Sequence, residues 1–357
     1  MNRFKERINK LRPLFDEAGI DALFINKPAN VAYFTGQRGD DCYLYISKDE
    51  AYVITDFRYL EMAQSLSDWL TLDLTKTGRN ILEILKDKKD KRIGVEKDAM
   101  TLDLFMGLNT GLKDVKTFVP VSGLVEQLRM IKDEYEIEST KKACEIAVKT
   151  YLHMLEYLKT GLEEVEAAAE LEYFMRKCGA EGPSFETILI SGDKTSRPHG
   201  VPGHKKIEHG DFVTMDFGCK VDGYCSDMTR TVAMGSVTDE MKEVYNVVLK
   251  AQLNAIANLH AGITGQEGDA FARSVIEEAG YGEYFGHSLG HGTGLEIHEK
   301  PNYSPAYKNV IPAGAILSIE PGIYIPGKFG VRIEDLALVT ESGIIDFEDA
   351  PKELTIL

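Results

Sequence analysis

Asp222-Gly223 is a two-residue turn set between segments of alternating character, Val213, Met215 and Phe217 against Thr214, Asp216 and Gly218 before it and Thr229-Arg230-Thr231 after it. An Asp-Gly pair tolerates positive φ at both positions, so it closes a β-hairpin whose twist matches its strands. Pairing Val221 with Tyr224 then sets Asp216 opposite Thr229 and leaves Asp227 two residues away on the same face. The two carboxylates become diagonal neighbours about 7–8 Å apart at the backbone, within side-chain convergence. Charges that converge on an otherwise apolar hairpin repel and are costly to desolvate. A bound cation relieves that cost, and so does a solvent-facing edge; the hairpin alone leaves both open.

Two further segments narrow the choice. His287, His291 and His298, three of the eight histidines, lie in one short stretch interleaved with Gly286, Gly290, Gly292 and Gly294. Glycine at that density argues against a helix and for backbone passing close to something else. Neutral imidazole is both a common metal ligand and a proton carrier near pH 7. Downstream, Ala315-Ile-Leu-Ser-Ile-Glu320 and Gly330-Val-Arg-Ile-Glu334-Asp-Leu-Ala-Leu-Val each embed a glutamate in a strand-like apolar run, where an unpaired carboxylate is expensive. Asp216, Asp227, His291, Glu320 and Glu334 together form an oxygen-rich donor set suited to two divalent cations sharing carboxylates. Its character favours Mn²⁺, with Co²⁺, Zn²⁺ and Fe²⁺ as alternatives.

The chain of 357 residues has room for two domains. Residues 1 to 122 alternate helix and strand: a helix from Phe4 to Ala18, then the runs Ala22–Ile25, Tyr43–Ile46 and Ala51–Ile54. A turn cluster at Pro120-Val121-Ser122-Gly123 precedes a charged helix expected from Glu126 to about Leu158, so the boundary falls at 122/123 and the second domain runs to residue 357. Within it Gly161 and Gly262 open similar helical stretches that close at Gly179 and Gly280. That repeat implies two αβ halves about a pseudo-two-fold axis. Met241, Val244, Val248, Ala251, Ala255 and Leu259 mark the buried face of another helix.

A formal charge of −16 opposes nucleic-acid binding. No run is apolar and long enough to span a membrane, and the first residues hold no apolar signal core, so the expected location is the cytoplasm. Five scattered cysteines without a C-x-x-C pair read as buried free thiols.

In order and spacing, Asp216, Asp227, His291, Glu320 and Glu334 resemble the five-ligand pattern of the pita-bread (M24) metallopeptidases. His287, Tyr324, Arg332 and Pro198-His199-Gly200 resemble their proline-specific branch, the prolidases and aminopeptidases P. The resemblance implies a creatinase-like α/β N-terminal domain followed by an α+β pita-bread domain with pseudo-two-fold halves. It implies hydrolysis of Xaa-Pro bonds in di- or oligopeptides by a hydroxide shared between two metals. Asp216 and Asp227 would hold one metal and His291 and Glu320 the other, with Glu334 bridging. Glu320 would also handle the proton. His298 and His199 would bond the scissile carbonyl, His287 and Tyr324 would shape the proline pocket, and Arg332 and Thr229 would support the carboxylates. Many prolidases carry an arginine after the His-Glu-x-Pro stretch to hold the dipeptide carboxylate, whereas Pro301 is followed here by Asn302. Lys300 or Lys308 would substitute in a dipeptidase; an aminopeptidase P would not need them. The segment Thr55-Asp56-Phe57-Arg58-Tyr59 is the expected contributor to a homodimer, and Trp69 belongs to the N-domain core or that interface. An intact ligand set argues against a non-catalytic binding module and against a metal-free amidinohydrolase.

Overall fold

Pro13 has no amide hydrogen to give, so the first amphipathic segment divides into helices Arg3–Leu11 and Leu14–Glu17 instead of running unbroken from Phe4 to Ala18. The computed structural model describes residues 2–37, 41–66, 70–74 and 80–357; Trp69 lies outside them. The chain forms two compact units, Met1–Arg129 and Met130–Leu357.

The first unit is built on a mixed sheet. Its spatial order is Thr71–Leu74, Ala51–Thr55, Tyr43–Ser47, Ala22–Ile25, Arg92–Glu96 and Thr117–Val121. Tyr43–Ser47 pairs antiparallel with both neighbours, and the remaining pairs are parallel. The buried Asn30 donates to Glu96 and Glu126 and accepts from Arg129, which ties the short helix Glu126–Arg129 to this unit. Asp56 accepts the Arg58 N–H and caps the turn Phe57–Tyr59, leaving the Phe57 ring 81% exposed.

The charged helix expected from Glu126 is interrupted. Asp133 accepts the Glu136 N–H at 3.0 Å while Glu136 accepts the Asp133 N–H at 2.9 Å. This reciprocal cap starts a new helix, Glu134–Tyr157, in the second unit. The repeat is present in full. Helices Glu164–Lys177 and Gly265–Glu278 are offset by 101 residues at both ends, each begins with a capping box, and each is bracketed by glycines of positive φ. The first half packs its two helices on a sheet of Met228–Ala233, Phe212–Phe217 and Ile188–Ser191. The second half packs Asp239–Asn258 and Gly265–Glu278 on a sheet ordered Glu299–Tyr303, Gly290–Gly292, Ile316–Ile319, Asp335–Thr340 and Gly343–Asp346. Met241, Val244, Val248, Ala251 and Ala255 form the buried face, as their spacing requires.

Hairpin register follows from its turn. Asp222 has φ 51° and Gly223 φ 85°, Val221 pairs with Tyr224, and Asp216 pairs with Thr229. The ladder is not continuous, and Asp227 falls just ahead of Met228–Ala233, outside it. The downstream run likewise splits into Phe329–Arg332 and Asp335–Thr340, with Glu334 in the break. A single bridge, Thr229 to Glu334, links the two halves there. Gly290 shows why its segment is glycine-rich: a Cβ there would sit 1.9 Å from the Ser318 carbonyl oxygen. Gly290→Ala is therefore expected to cost about 3 kcal/mol, readable as a lower denaturant midpoint at unchanged slope. Among the described residues no helix is long and apolar enough to cross a membrane.

Candidate metal centre

Residues at strand ends and breaks converge between the two halves. Asp216 is the penultimate residue of Phe212–Phe217, His291 is the middle residue of Gly290–Gly292, and Glu320 directly follows Ile316–Ile319. Released from strict alternation, Asp227 and Glu334 turn toward the same point. One ligand atom each of Asp227, His291 and Glu334 lies within 4.8 Å of the others. The His291 Nε2 lies 3.5 Å from Asp227 Oδ2 and 3.4 Å from Glu320 Oε1. This triple holds one residue of each expected pair, Asp227 and His291, together with Glu334, the expected bridge.

The surroundings orient each donor. His291 Nδ1 lies 3.1 Å from the Gly292 carbonyl, which can only accept, so Nδ1 carries the proton and Nε2 presents its lone pair to the carboxylates. Ser318 Oγ accepts the His291 N–H at 3.0 Å and donates to Glu320 Oε1 at 3.0 Å, so one hydroxyl fixes two members of the cluster. Arg332 donates through Nη2 to Asp216, through Nε to Thr229 Oγ1 at 3.0 Å and through Nη1 to Tyr324 Oη at 2.8 Å. Thr229 Oγ1 in turn donates to Glu334. Tyr324 Oη completes the chain at 2.9 Å from His287 Nε2, while His287 Nδ1 donates to the Ser288 carbonyl at 2.8 Å.

Electrostatics mark the cluster as built for positive charge. Burial, reinforced by the neighbouring carboxylates, pushes the Asp227 and Glu334 carboxyls well above their usual range. Burial likewise raises Glu320. Asp216 Oδ1 is buried with no hydrogen-bond donor among the described residues. A divalent cation compensates all of these at once, so the residues fit one. Burial lowers His287 and His291, keeping both imidazoles neutral. Tyr324 is pushed up to about 12, chiefly by burial, and stays a phenol.

Residues 138–341 match metallopeptidase family M24, and residues 7–131 match the creatinase/prolidase N-terminal domain. The Xaa-Pro dipeptidase of Pyrococcus furiosus is 43% identical over 98% of this chain and 99% of its own length. The chain belongs to metallopeptidase family M24. An Xaa-Pro dipeptidase structure from Bacillus anthracis superimposes with a TM-score of 0.96 at 43% identity, covering 99% of this chain and all of that one. The X-Pro aminopeptidase of Thermotoga maritima gives 0.90 at 39% identity, covering 98% of this chain and all of that one. The architecture is thus a creatinase-type N-terminal domain followed by an M24 pita-bread domain, and family membership implies divalent metal ions.

Other expected site residues of this M24 chain are arranged less tightly. The His298 ring stands edge-on to His291 at 4.3 Å, and partial burial together with His291 and His199 lowers its pKa. His199 itself is exposed. Lys300 and Lys308 are exposed, and Asn302 pairs with His291 across the strands. Cys219 and Cys225 are buried free thiols pushed up to about 12 and about 11 by burial, which suits packing and not ligation. Ser318 was not anticipated from sequence. The signal existed, since it stands two residues before Glu320 in an apolar strand and therefore shares its face.

Proposed function

We propose that this chain is a metal-dependent exopeptidase that cleaves Xaa-Pro bonds, acting chiefly on dipeptides. The observation that carries the reading is the convergence of Asp216, Asp227, His291, Glu320 and Glu334 beside the neutral His287 and His298. Those five residues would hold the metal. When bound, two divalent cations, Mn²⁺ foremost, would stabilise charge developing on the peptide carbonyl and acidify the attacking water. Glu320, oriented by Ser318, would accept that water's proton. His298, neutral and accessible, donates to the carbonyl oxygen as its negative charge grows, and His199 assists from the exposed side. Tyr324 and Ser288 occupy both ring nitrogens of His287, so the ring offers a prolyl ring apolar contact and no free polar atom. Such a contact suits an imino peptide bond, which has no N–H for an enzyme to read. The exposed Phe57, Leu102 and Met106 of the first unit support a homodimer.

Aminopeptidase P activity is the second reading. Asn302 stands where the resemblance implies an arginine for a dipeptide carboxylate, and the Thermotoga relative is called an X-Pro aminopeptidase. Protein stripped with chelator and reloaded with Mn²⁺ is to be assayed on Ala-Pro and Ala-Pro-Ala. Turnover of the dipeptide, lost on stripping and restored by Mn²⁺, is the expected result; turnover confined to the tripeptide selects the second reading. Silence on both after reloading overturns the peptidase. His298→Ala is expected to lower kcat about 100- to 1,000-fold at unchanged metal content.

A further inference from the structure

Helix Gly265–Glu278 carries an ion pair that the reaction above does not use. Asp269, 1% exposed, and Arg273 bind each other twice, Nε to Oδ2 at 2.6 Å and Nη2 to Oδ1 at 3.0 Å. Both residues also reach off their own helix. Arg273 donates through Nη1 to the Phe285 carbonyl at 3.0 Å and through Nη2 to the His287 carbonyl at 2.7 Å. Asp269 Oδ1 accepts the Leu289 N–H at 2.9 Å. One helical turn therefore grips three alternate residues of a single segment. The guanidinium also lies 4.2 Å over the Phe285 ring, whose centroid is 5.1 Å from that of the near-perpendicular His287 ring.

We propose that Asp269 and Arg273 are positioning residues for substrate recognition, a charged clamp that fixes where the His287 ring stands in the pocket. This rests on the reading of His287 as a pocket residue given above. A salt bridge serving the helix alone needs no partners on the segment, yet every off-helix bond of this pair ends within two residues of His287. The planar guanidinium is required because one side chain must meet a carboxylate and two carbonyls at once, which an ammonium on a flexible stem cannot match.

The test is steady-state kinetics on Ala-Pro with Mn²⁺-loaded parent, Arg273→Met, Arg273→Lys and His287→Ala, each well below its own melting temperature. Arg273→Met is expected to raise KM about 10-fold with kcat and metal content nearly unchanged, and Arg273→Lys to recover part of the loss. A purely structural staple would lower the melting temperature and leave KM alone, so a parental KM in folded Arg273→Met overturns the clamp. Should Arg273→Met fail to fold, a parental KM in Arg273→Lys overturns it equally. Loss of metal in either arginine variant also overturns it, because the clamp would then act on the strand of His291. If His287→Ala leaves KM unchanged, it is the pocket reading that fails.

Discussion

Asp227→Asn is expected to lower kcat/KM for Ala-Pro by at least about 1,000-fold, because losing metal-derived stabilisation of about 4 kcal/mol in the transition state has that effect. Its effect on stability changes sign with the metal. In chelator-stripped protein, burial and repulsion from Glu334, Asp216 and Glu320 oppose ionisation of the Asp227 carboxyl. Replacing it with a neutral isostere removes that repulsion and raises the melting temperature. In protein at 100 times the metal Kd, binding adds about 2.7 kcal/mol to the parent. For a unit of this size that is about 5–10 °C, which the variant forfeits. Thermal unfolding of both proteins with and without Mn²⁺ reads both signs. A variant that melts lower than the parent by the same amount in both states would show that Asp227 serves packing and not ligation.

Arg230→Ala is expected to destabilise the metal-loaded protein by about 3–5 kcal/mol, lowering its melting temperature by about 10 °C or more. Arg230 and Asp335 form an ion pair whose side chains are both 0% exposed, at 2.7 Å. The guanidinium also donates to the carbonyls of Thr229, Glu334, Ala350 and Pro351. Truncation takes the guanidinium from the buried Asp335, leaving it Lys352 at 3.0 Å and Gln252, and removes the donor from four carbonyl acceptors at once. Because Glu334 is one of them, metal affinity should fall as well. Calorimetry of the Mn²⁺-loaded variant showing a drop under about 2 °C would mean that solvent reaches this site and repairs it.

Much of this architecture is written in short-range chemistry. The pairing of Asp216 with Thr229 follows from Asp222-Gly223, because the turn acts on the residues beside it. The helices Glu164–Lys177 and Gly265–Glu278 are bounded by capping boxes and glycines visible at their own positions. The candidate ligands stood out because a carboxylate in an apolar strand is a local anomaly. Two breaks were equally local and were passed over: Pro13 in the first helix, and Asp133 with Glu136 three residues on.

Tertiary structure alone decided how these residues meet. Glu334 was expected inside one strand and instead occupies a break, held by Thr229 from 105 positions away. Arg332 joins Asp216, 116 positions distant, to Tyr324, and Asp269 reaches Leu289 across a turn that no periodicity describes. Turn, cap and alternation energies depend on neighbours within about four residues, so sequence determined them. Convergence of buried charge depends on which distant strands exclude water from it, and desolvation at a point is a property of the packed chain.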